Sequence, residues 1–160
     1  IERMVNASLS NGLTRFLTTE GGVNSGFMIV QYTAASMASE NKVLAHPACV
    51  DSIPSSANQE DFVSMGTTAA RKAGTILENT RSVLAYELLT ACQAIDIRRQ
   101  IGRWGTGLSP AGEAVFRRVR EKVDFMEVDR ELWPDIQAVE AMVRSGELLD
   151  IVQEIAPEFE

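Results

Sequence analysis

The most extended pattern in the sequence is a run in which apolar residues recur at intervals of three and four positions with no proline between them. It begins near Asn58 and ends near Arg99, and this spacing predicts an amphipathic α-helix. At 1.5 Å per residue, the helix would be on the order of 60 Å long. Because such helices are stable in water mainly when packed lengthwise against others, the pattern predicts a bundle of long helices.

Two capping-box spacings predict where this long helix begins. Ser56 precedes Gln59 by three residues, and Asn58 precedes Asp61 by three residues. In a capping box, the first of these side chains bonds the backbone at the start of a helix. Glu60 and Asp61 would then belong to the first turn, where unpaired N–H groups and the helix dipole stabilise anions.

Shorter helical patterns lie on both sides of the long one. Residues 27–45 are apolar or small almost without interruption, which predicts a helix buried on nearly all sides. Asn24 is a residue type that can cap its start, and Pro47 ends it. A glycine-rich link containing Trp104 follows the long helix. The remaining helices are predicted near residues 1–9, 110–123, 133–144 and 147–155.

The whole pattern belongs to the all-α class. No strand pattern exceeds a few residues, and no internal repeat is present. We expect two regions: residues 1–100, a long-helix portion carrying the Glu60 segment, and residues 101–160, a C-terminal region of short helices. A chain of 160 residues is long enough to bury a core of its own.

The charge balance narrows the classes of partner. The chain has 22 acidic and 15 basic residues, a net charge of −7. Because binding to nucleic-acid phosphates requires a clustered excess of Lys and Arg, we expect no nucleic-acid partner. No apolar run reaches the length of about 20 residues that a membrane-spanning helix needs, so we expect no membrane partner either.

The chain has too few cysteines and histidines for a zinc site. The only such residues are Cys49, Cys92 and His46, and these cannot bind zinc by themselves. So few cysteines, with no signal sequence, favour a cytoplasmic protein whose two thiols are reduced and buried. The chain begins with Ile1 within a helical pattern, which suggests a piece of a longer protein.

Local chemistry alone favours ordinary structural roles for the candidate residues. First-turn acids such as Glu60 commonly do no more than cap a helix. Met28 lies one turn inside an apolar helix, where a core role is usual. His46 precedes Pro47 at a helix end, which favours a structural role. The sequence contains no Ser–His–Asp set, phosphate-binding loop or metal cluster.

Several motifs in one register resemble the histidine and aromatic amino-acid ammonia-lyases. The strong match covers roughly residues 10–100, and the remainder matches loosely. The motifs are GVNSGFMI at 22–29, SENKVLAHPA at 39–48, VDSIPSSANQED at 50–61, VSMG at 63–66, LENT at 77–80 and ACQAID at 91–96.

This resemblance implies a long-helix bundle of the fumarase/aspartase-like superfamily. Members assemble as homotetramers whose active sites are built from several subunits, and they eliminate ammonia from an α-amino acid. They use an electrophilic methylidene-imidazolone formed from an Ala-Ser-Gly tripeptide. That tripeptide does not occur in the 160 residues, so the resemblance implies the C-terminal portion of such an enzyme, with no cofactor formed within this chain. Its expected partners are the N-terminal part and further copies of the same enzyme.

The resemblance also implies roles for three residues. Glu60 matches the active-site glutamate, proposed to act as a base or to hold the substrate amino group. Met28 and Gln59 match residues that contact the substrate, a small amino acid. The chain would be inactive alone, because the electrophile is absent.

Histidine is the expected substrate, with urocanate as the product, because a glutamate at position 60 is typical of the histidine branch. Phe62 departs from the pattern, since many histidine enzymes carry a histidine there. Tyrosine or phenylalanine ammonia-lyases and 2,3-aminomutases therefore stay open as alternatives. A non-catalytic helical module for oligomerisation is the alternative of another class.

Overall fold

The computed structural model describes residues 1–102, 105 and 107–158, and every regular element in these ranges is helical. The all-α prediction is confirmed, and Trp104 lies outside the described residues. Single turns of 3₁₀-helix occupy Arg15–Leu17 and Ser56–Asn58. The α-helices are α1 (Glu2–Val5), α2 (Met28–Leu44), α3 (Gly66–Gln100), α4 (Pro110–Arg120), α5 (Trp133–Ser145) and α6 (Glu147–Ile155).

The start predicted for the long helix is wrong. Helix α3 begins at Gly66 rather than near Asn58, and it has 35 residues, which is on the order of 50 Å. Met65, the residue before it, has a φ of 52° and provides no side-chain cap. The predicted capping boxes do not form, because residues 52–63 fold into a loop that returns on itself. The Val63 N–H donates to Ser52 Oγ at 2.8 Å across this loop.

Helices α2 and α3 pack against each other in antiparallel directions. Asn79, in the first half of α3, donates to Glu40 Oε2 at 2.7 Å and to Asn41 Oδ1 at 3.0 Å near the end of α2. Gln93, in the second half of α3, donates to the Leu17 carbonyl, which precedes α2. The loop of residues 45–65 therefore joins the two helices at the end remote from Gln93.

The core covers only the second half of α3. The buried residues of α3 all lie between Ala85 and Ile97, where this helix contacts α4, α5 and the segment before α2. No described residue of α3 before Ala85 is buried. The prediction that α2 is buried on nearly all sides is wrong for this chain, because Tyr32 is 70% exposed and Val43 is 73% exposed.

A fully buried amide fixes α3 to two loops. Gln93 Nε2 donates to the Met126 carbonyl at 2.8 Å and to the Leu17 carbonyl at 3.3 Å. Gln93 Oε1 accepts the Met126 N–H at 3.1 Å. A buried amide with all these partners holds the loops in one position, because leaving any of them unpaired would be costly.

The short C-terminal helices form where the sequence predicts them. Ser109 Oγ accepts the Gly112 N–H at 3.1 Å, and Pro110 occupies the first helical position, where a missing N–H costs nothing. Arg120 of α4 pairs with Asp96 of α3 at 2.7 Å. Within the described part of the chain, no helix combines the length and apolar character needed to cross a membrane.

We expect the substitution Gly26→Ala to destabilise the chain by about 2–4 kcal/mol. Gly26 has a φ of +57°, and an added Cβ would lie 2.4 Å from the Phe16 carbonyl oxygen. That oxygen already accepts the Phe27 N–H at 2.8 Å, so it cannot withdraw freely. Denaturant unfolding of the variant measures the change.

Gly74→Ala is the matched control. Gly74 lies inside α3, and a Cβ added there would have no neighbouring atom within 4 Å, so alanine should raise the free energy of unfolding by about 0.5–1 kcal/mol. Equal unfolding midpoints for the two variants would contradict the close approach at Gly26.

Candidate active site

Met28 is the first residue of α2, and its half-buried side chain borders a cavity. The cavity has a volume of about 520 Å³. Its lining carries one guanidinium and no carboxylate, so an anionic or polar ligand group would meet a favourable charge there. The other lining residues are Arg15, Phe16, Gly21, Gly22, Asn24 and Ser25.

A left-handed turn shapes one wall of this cavity. Phe16 and Leu17 have φ angles of 56° and 55°, an uncommon conformation for residues with side chains. The Phe16 carbonyl then faces the start of α2 and accepts the Phe27 N–H. Asn24 does not cap α2 as predicted: its Oδ1 instead accepts the Asp129 N–H at 3.0 Å.

Glu60 lies in the loop between α2 and α3 and not in the first turn of α3, so the helix-terminus argument for this carboxylate is wrong. Its backbone forms a two-way bridge with Ser55, with N–O distances of 2.8 and 3.3 Å. Ser55 Oγ also donates to Glu60 Oε2 at 3.1 Å. The side chain is exposed in this chain, and its orientation depends on Ser55.

The turn before Glu60 has a strained backbone. Ser56, Ala57 and Asn58 have φ angles of 53°, 54° and 70°, and a left-handed residue with a side chain costs roughly 1–2 kcal/mol. Strain of this kind clusters at ligand-binding and catalytic sites when surrounding structure enforces it. Gln59, which completes the turn, donates its N–H to the Ser56 carbonyl at 3.2 Å, and it is exposed.

The chain does not bring its predicted site residues together. Gln59 and Glu60 are adjacent, but Met28 begins α2, and the loop carrying Glu60 follows the other end of α2. A helix of 17 residues separates its two ends by roughly 25 Å. None of the hydrogen bonds or ion pairs of the described residues links Met28 to Glu60.

Four large apolar side chains of the loop that carries Glu60 are exposed. Ile53 is 70% exposed and Phe62 is 60% exposed, and Val50 and Met65 are also exposed. Clusters of exposed large apolar side chains mark interaction surfaces in soluble proteins. The loop therefore exposes apolar area that the described chain does not cover.

The remaining candidates are His46 and the two cysteines, and their contacts indicate structural roles or none. The His46 carbonyl accepts a hydrogen bond from Lys72 Nζ, and this contact fixes the end of α2 to α3. Cys92 is buried as predicted, but Cys49 is exposed, which corrects the prediction for that thiol. Burial raises the pKa of the Cys92 thiol to about 11. Within the described ranges, no group of His, Cys, Asp and Glu side chains could hold a metal ion.

Sequence reasoning missed the residues that share the cavity with Met28. Arg15 and Phe16 precede the first of the family motifs, and only the left-handed turn at Phe16 brings them to the cavity. Asn24 lies inside that motif, but its spacing suggested a helix cap. No periodic signal distinguishes such residues from ordinary loop residues.

The chain has the all-helical, fumarase/aspartase-like fold of the histidine and aromatic ammonia-lyases, to whose solved structures it is similar. Residues 1–121 match the family model described as aromatic amino acid lyase, and the chain belongs to this family. It is 57% identical over 160 residues to the histidine ammonia-lyase of Symbiobacterium thermophilum and 50% identical over 160 residues to histidine ammonia-lyase 1 of Fusobacterium nucleatum. Each match covers 100% of this chain and 30% of the relative.

Solved structures give the same relationship. The crystal structure of histidine ammonia-lyase from Trypanosoma cruzi matches with a TM-score of 0.87 and 45% identity, over 96% of this chain and 29% of that chain. Tyrosine aminomutase from Streptomyces globisporus matches with a TM-score of 0.86 and 40% identity, over 96% of this chain and 28% of that chain. The chain thus spans about 30% of the length of its relatives.

We expect only one of the two thiols to react with a disulfide reagent in the folded chain at pH 8. Thiolate is the reactive species. The Cys49 thiol is exposed, whereas the Cys92 thiol is buried with its pKa raised to about 11. Absorbance of the released chromophore counts the reacted thiols, and denaturant should expose the second.

The variants Cys49→Ser and Cys92→Ala provide the controls. The first should abolish the fast reaction, and the second should leave it unchanged. Two thiols reacting equally fast in the folded chain would contradict the packing around Cys92.

Proposed function

We propose that this chain is part of a histidine ammonia-lyase-like enzyme that eliminates ammonia from histidine to give urocanate. The observation that carries this proposal is the 57% identity, along all 160 residues, to the histidine ammonia-lyase of Symbiobacterium thermophilum. Identity to the tyrosine aminomutase structure is lower, at 40%. Glutamate at position 60 also favours the histidine branch.

In this proposal Glu60 is the catalytic carboxylate. Elimination removes a proton from the substrate Cβ, which is barely acidic, so a positioned base assists the transfer. The Ser55 bridge and the strained turn before Glu60 give its side chain a defined position, which an effective base requires. Gln59 and Met28 are proposed to contact the amino-acid substrate.

The electrophile of this family is a methylidene-imidazolone formed from Ala-Ser-Gly, and it supplies the activation that makes the substrate proton removable. The 160 residues contain no Ala-Ser-Gly, so they cannot form the group themselves. We therefore propose that these residues alone are inactive. Their contribution is the Glu60 loop, the Met28 wall and the helical scaffold that carries both.

We also propose that the active site is shared between copies of the enzyme. Met28 and the Glu60 loop adjoin opposite ends of α2, so one copy of this chain cannot place both at a single small substrate. Residues from other copies would complete each site, as in a homotetramer. The exposed apolar residues around Glu60 support such an assembly, because their burial would stabilise it.

Four further features belong to the same proposal. Residues 1–100 form the long-helix portion that carries the site, and residues 101–160 form the short-helix region that supports it. The N-terminal part of the same enzyme is the partner that supplies the electrophile. The ligand of the site is proposed to be the small amino-acid substrate. The enzyme is proposed to be cytoplasmic.

A 2,3-aminomutase acting on tyrosine is the second candidate. The similarity to tyrosine aminomutase, with a TM-score of 0.86, favours it, as does Phe62 at a position where many histidine enzymes carry a histidine. Product analysis separates the two candidates. Release of urocanate from histidine supports the first, and a β-amino acid formed from tyrosine supports the second.

We expect Glu60→Ala, made in the full-length enzyme that contains this sequence, to lower kcat by roughly 10²- to 10⁴-fold. The substitution removes the carboxylate and leaves the backbone bridge to Ser55 in place. The rate of urocanate formation from histidine measures the effect. Glu60→Gln should lose nearly as much, because an amide cannot accept the proton.

Asp51→Asn is the matched control from the same loop. Asp51 is exposed, and its Oδ1 accepts the Ser52 N–H at 2.8 Å, a bond that an amide oxygen can keep. Its turnover should equal that of the unmodified enzyme. Normal turnover in Glu60→Ala would remove Glu60 from the mechanism.

A further inference from the structure

The start of α2 is held by a carboxylate from a distant part of the chain. Asp129 Oδ2 accepts the Ser25 N–H at 2.6 Å, and Asp129 Oδ1 accepts the Gly26 N–H at 2.9 Å. In return, the Asp129 N–H donates to Asn24 Oδ1 at 3.0 Å. Three hydrogen bonds thus join Asp129 to three consecutive residues that lie 103–105 positions earlier.

Two of the three residues that Asp129 holds belong to the cavity wall. Asn24 and Ser25 line the same cavity as Met28. Met28 follows Gly26 by two residues, and its own N–H donates to the Ser25 carbonyl at 3.3 Å. A shift of the Ser25–Gly26 backbone would therefore move Met28 relative to the cavity.

The segment that carries Asp129 is itself anchored. The neighbouring Arg130 donates to the Asp124 carbonyl at 2.9 Å and forms an ion pair with Asp135 in the first turn of α5. Three residues before Asp129, the Met126 backbone is bonded to the buried Gln93 of α3. A continuous set of contacts therefore runs from the core of α3 through Asp129 to the start of α2.

The charge of Asp129 faces backbone donors. Two consecutive N–H groups pointing to one carboxylate form an anion-binding arrangement, and charge-assisted bonds of this kind are the stronger ones. Within the described residues, no ion pair joins Asp129 to a Lys or Arg side chain. Its contacts are those of a group that fixes backbone position.

We propose that Asp129 is a positioning residue for the lyase reaction, which orients Met28 by holding the Ser25–Gly26 backbone and the Asn24 side chain. This proposal rests on the proposed function, because it takes Met28 as a residue that contacts the substrate. Asp129 acts through the start of α2 without contacting the substrate. The short-helix region of residues 101–160 thereby supports the active site as well as the fold.

The first test measures kinetics in the full-length enzyme. We expect Asp129→Ala to raise KM for histidine by roughly tenfold while kcat changes by less than about twofold, because a displaced wall weakens binding of substrate and transition state alike. Asp129→Asn should give a smaller rise, since the amide keeps one acceptor oxygen. Glu131→Gln, an exposed acid two residues away, should leave both constants unchanged.

A double-mutant cycle separates positioning from general support of the fold. If Asp129 acts through Met28, Asp129→Asn should add little to KM in a Met28→Ala background, because the residue being positioned is already absent. Additive effects of the two substitutions would overturn the proposal. An unchanged KM in a folded Asp129→Ala enzyme would overturn it as well.

The second test reads the contact without using activity. Amide hydrogen exchange at Ser25 and Gly26 should be faster by at least about tenfold in Asp129→Ala, which removes both acceptor oxygens, and unchanged in Glu131→Gln, because exchange requires the amide's hydrogen bond to open. Unchanged exchange in a folded Asp129→Ala enzyme would overturn the proposal whatever the enzyme's activity. An unmodified enzyme that fails to convert histidine, with exchange still dependent on Asp129, would instead overturn the proposed function and leave the contact established.

Discussion

Helix α3 is buried along only half of its length, and this uneven burial determines how the other elements are arranged around it. The helix runs from Gly66 to Gln100, and the core of the chain covers it only from Ala85 onward. Hydrophobic burial stabilises the second half, and buried Gln93 fixes that half to the loops at residues 17 and 126. The first half contacts α2 and has no buried residue. Helix α3 therefore extends well beyond the hydrophobic core of this chain.

This uneven packing explains where the candidate active-site residues lie. The Met28 cavity adjoins the covered end of the helix pair, where Gly26 contacts the Phe16 backbone and Asp129 holds the start of α2. The Glu60 loop lies at the uncovered end, where its fixed geometry comes from Ser55 and a strained turn. Different contacts therefore fix the two ends of the helix pair. A site that uses residues from both ends needs more than one copy of the chain.

The local sequence pattern was sufficient to predict the positions of most helices, but it was insufficient to predict the conformations of the loops. The apolar pattern and Pro47 predicted α2, and the helical patterns near residues 110–123, 133–144 and 147–155 predicted α4–α6, because these signals act within a few residues. The capping spacings at Ser56 and Asn58 misplaced the start of α3, because three left-handed residues turn the chain back on itself instead. The continuous apolar pattern of α2 predicted burial that this chain does not provide, since periodicity does not show which partner covers a face. The bonds between Asp129 and Asn24–Gly26 span more than 100 residues, beyond the range of any local signal.

We infer that the first half of α3 and the Glu60 loop are stabilised by protein outside these 160 residues. Amide hydrogen exchange along α3 tests this inference when it is measured on the 160-residue chain at a concentration where the chain is monomeric. We expect slow exchange from Ala85 to Ile97 and much faster exchange from Gly66 to Leu84, because local opening is easier where few apolar contacts are buried. In the full-length enzyme, both halves should exchange slowly. Equally slow exchange along the whole helix in the monomeric chain would show that α3 needs no protein outside these residues.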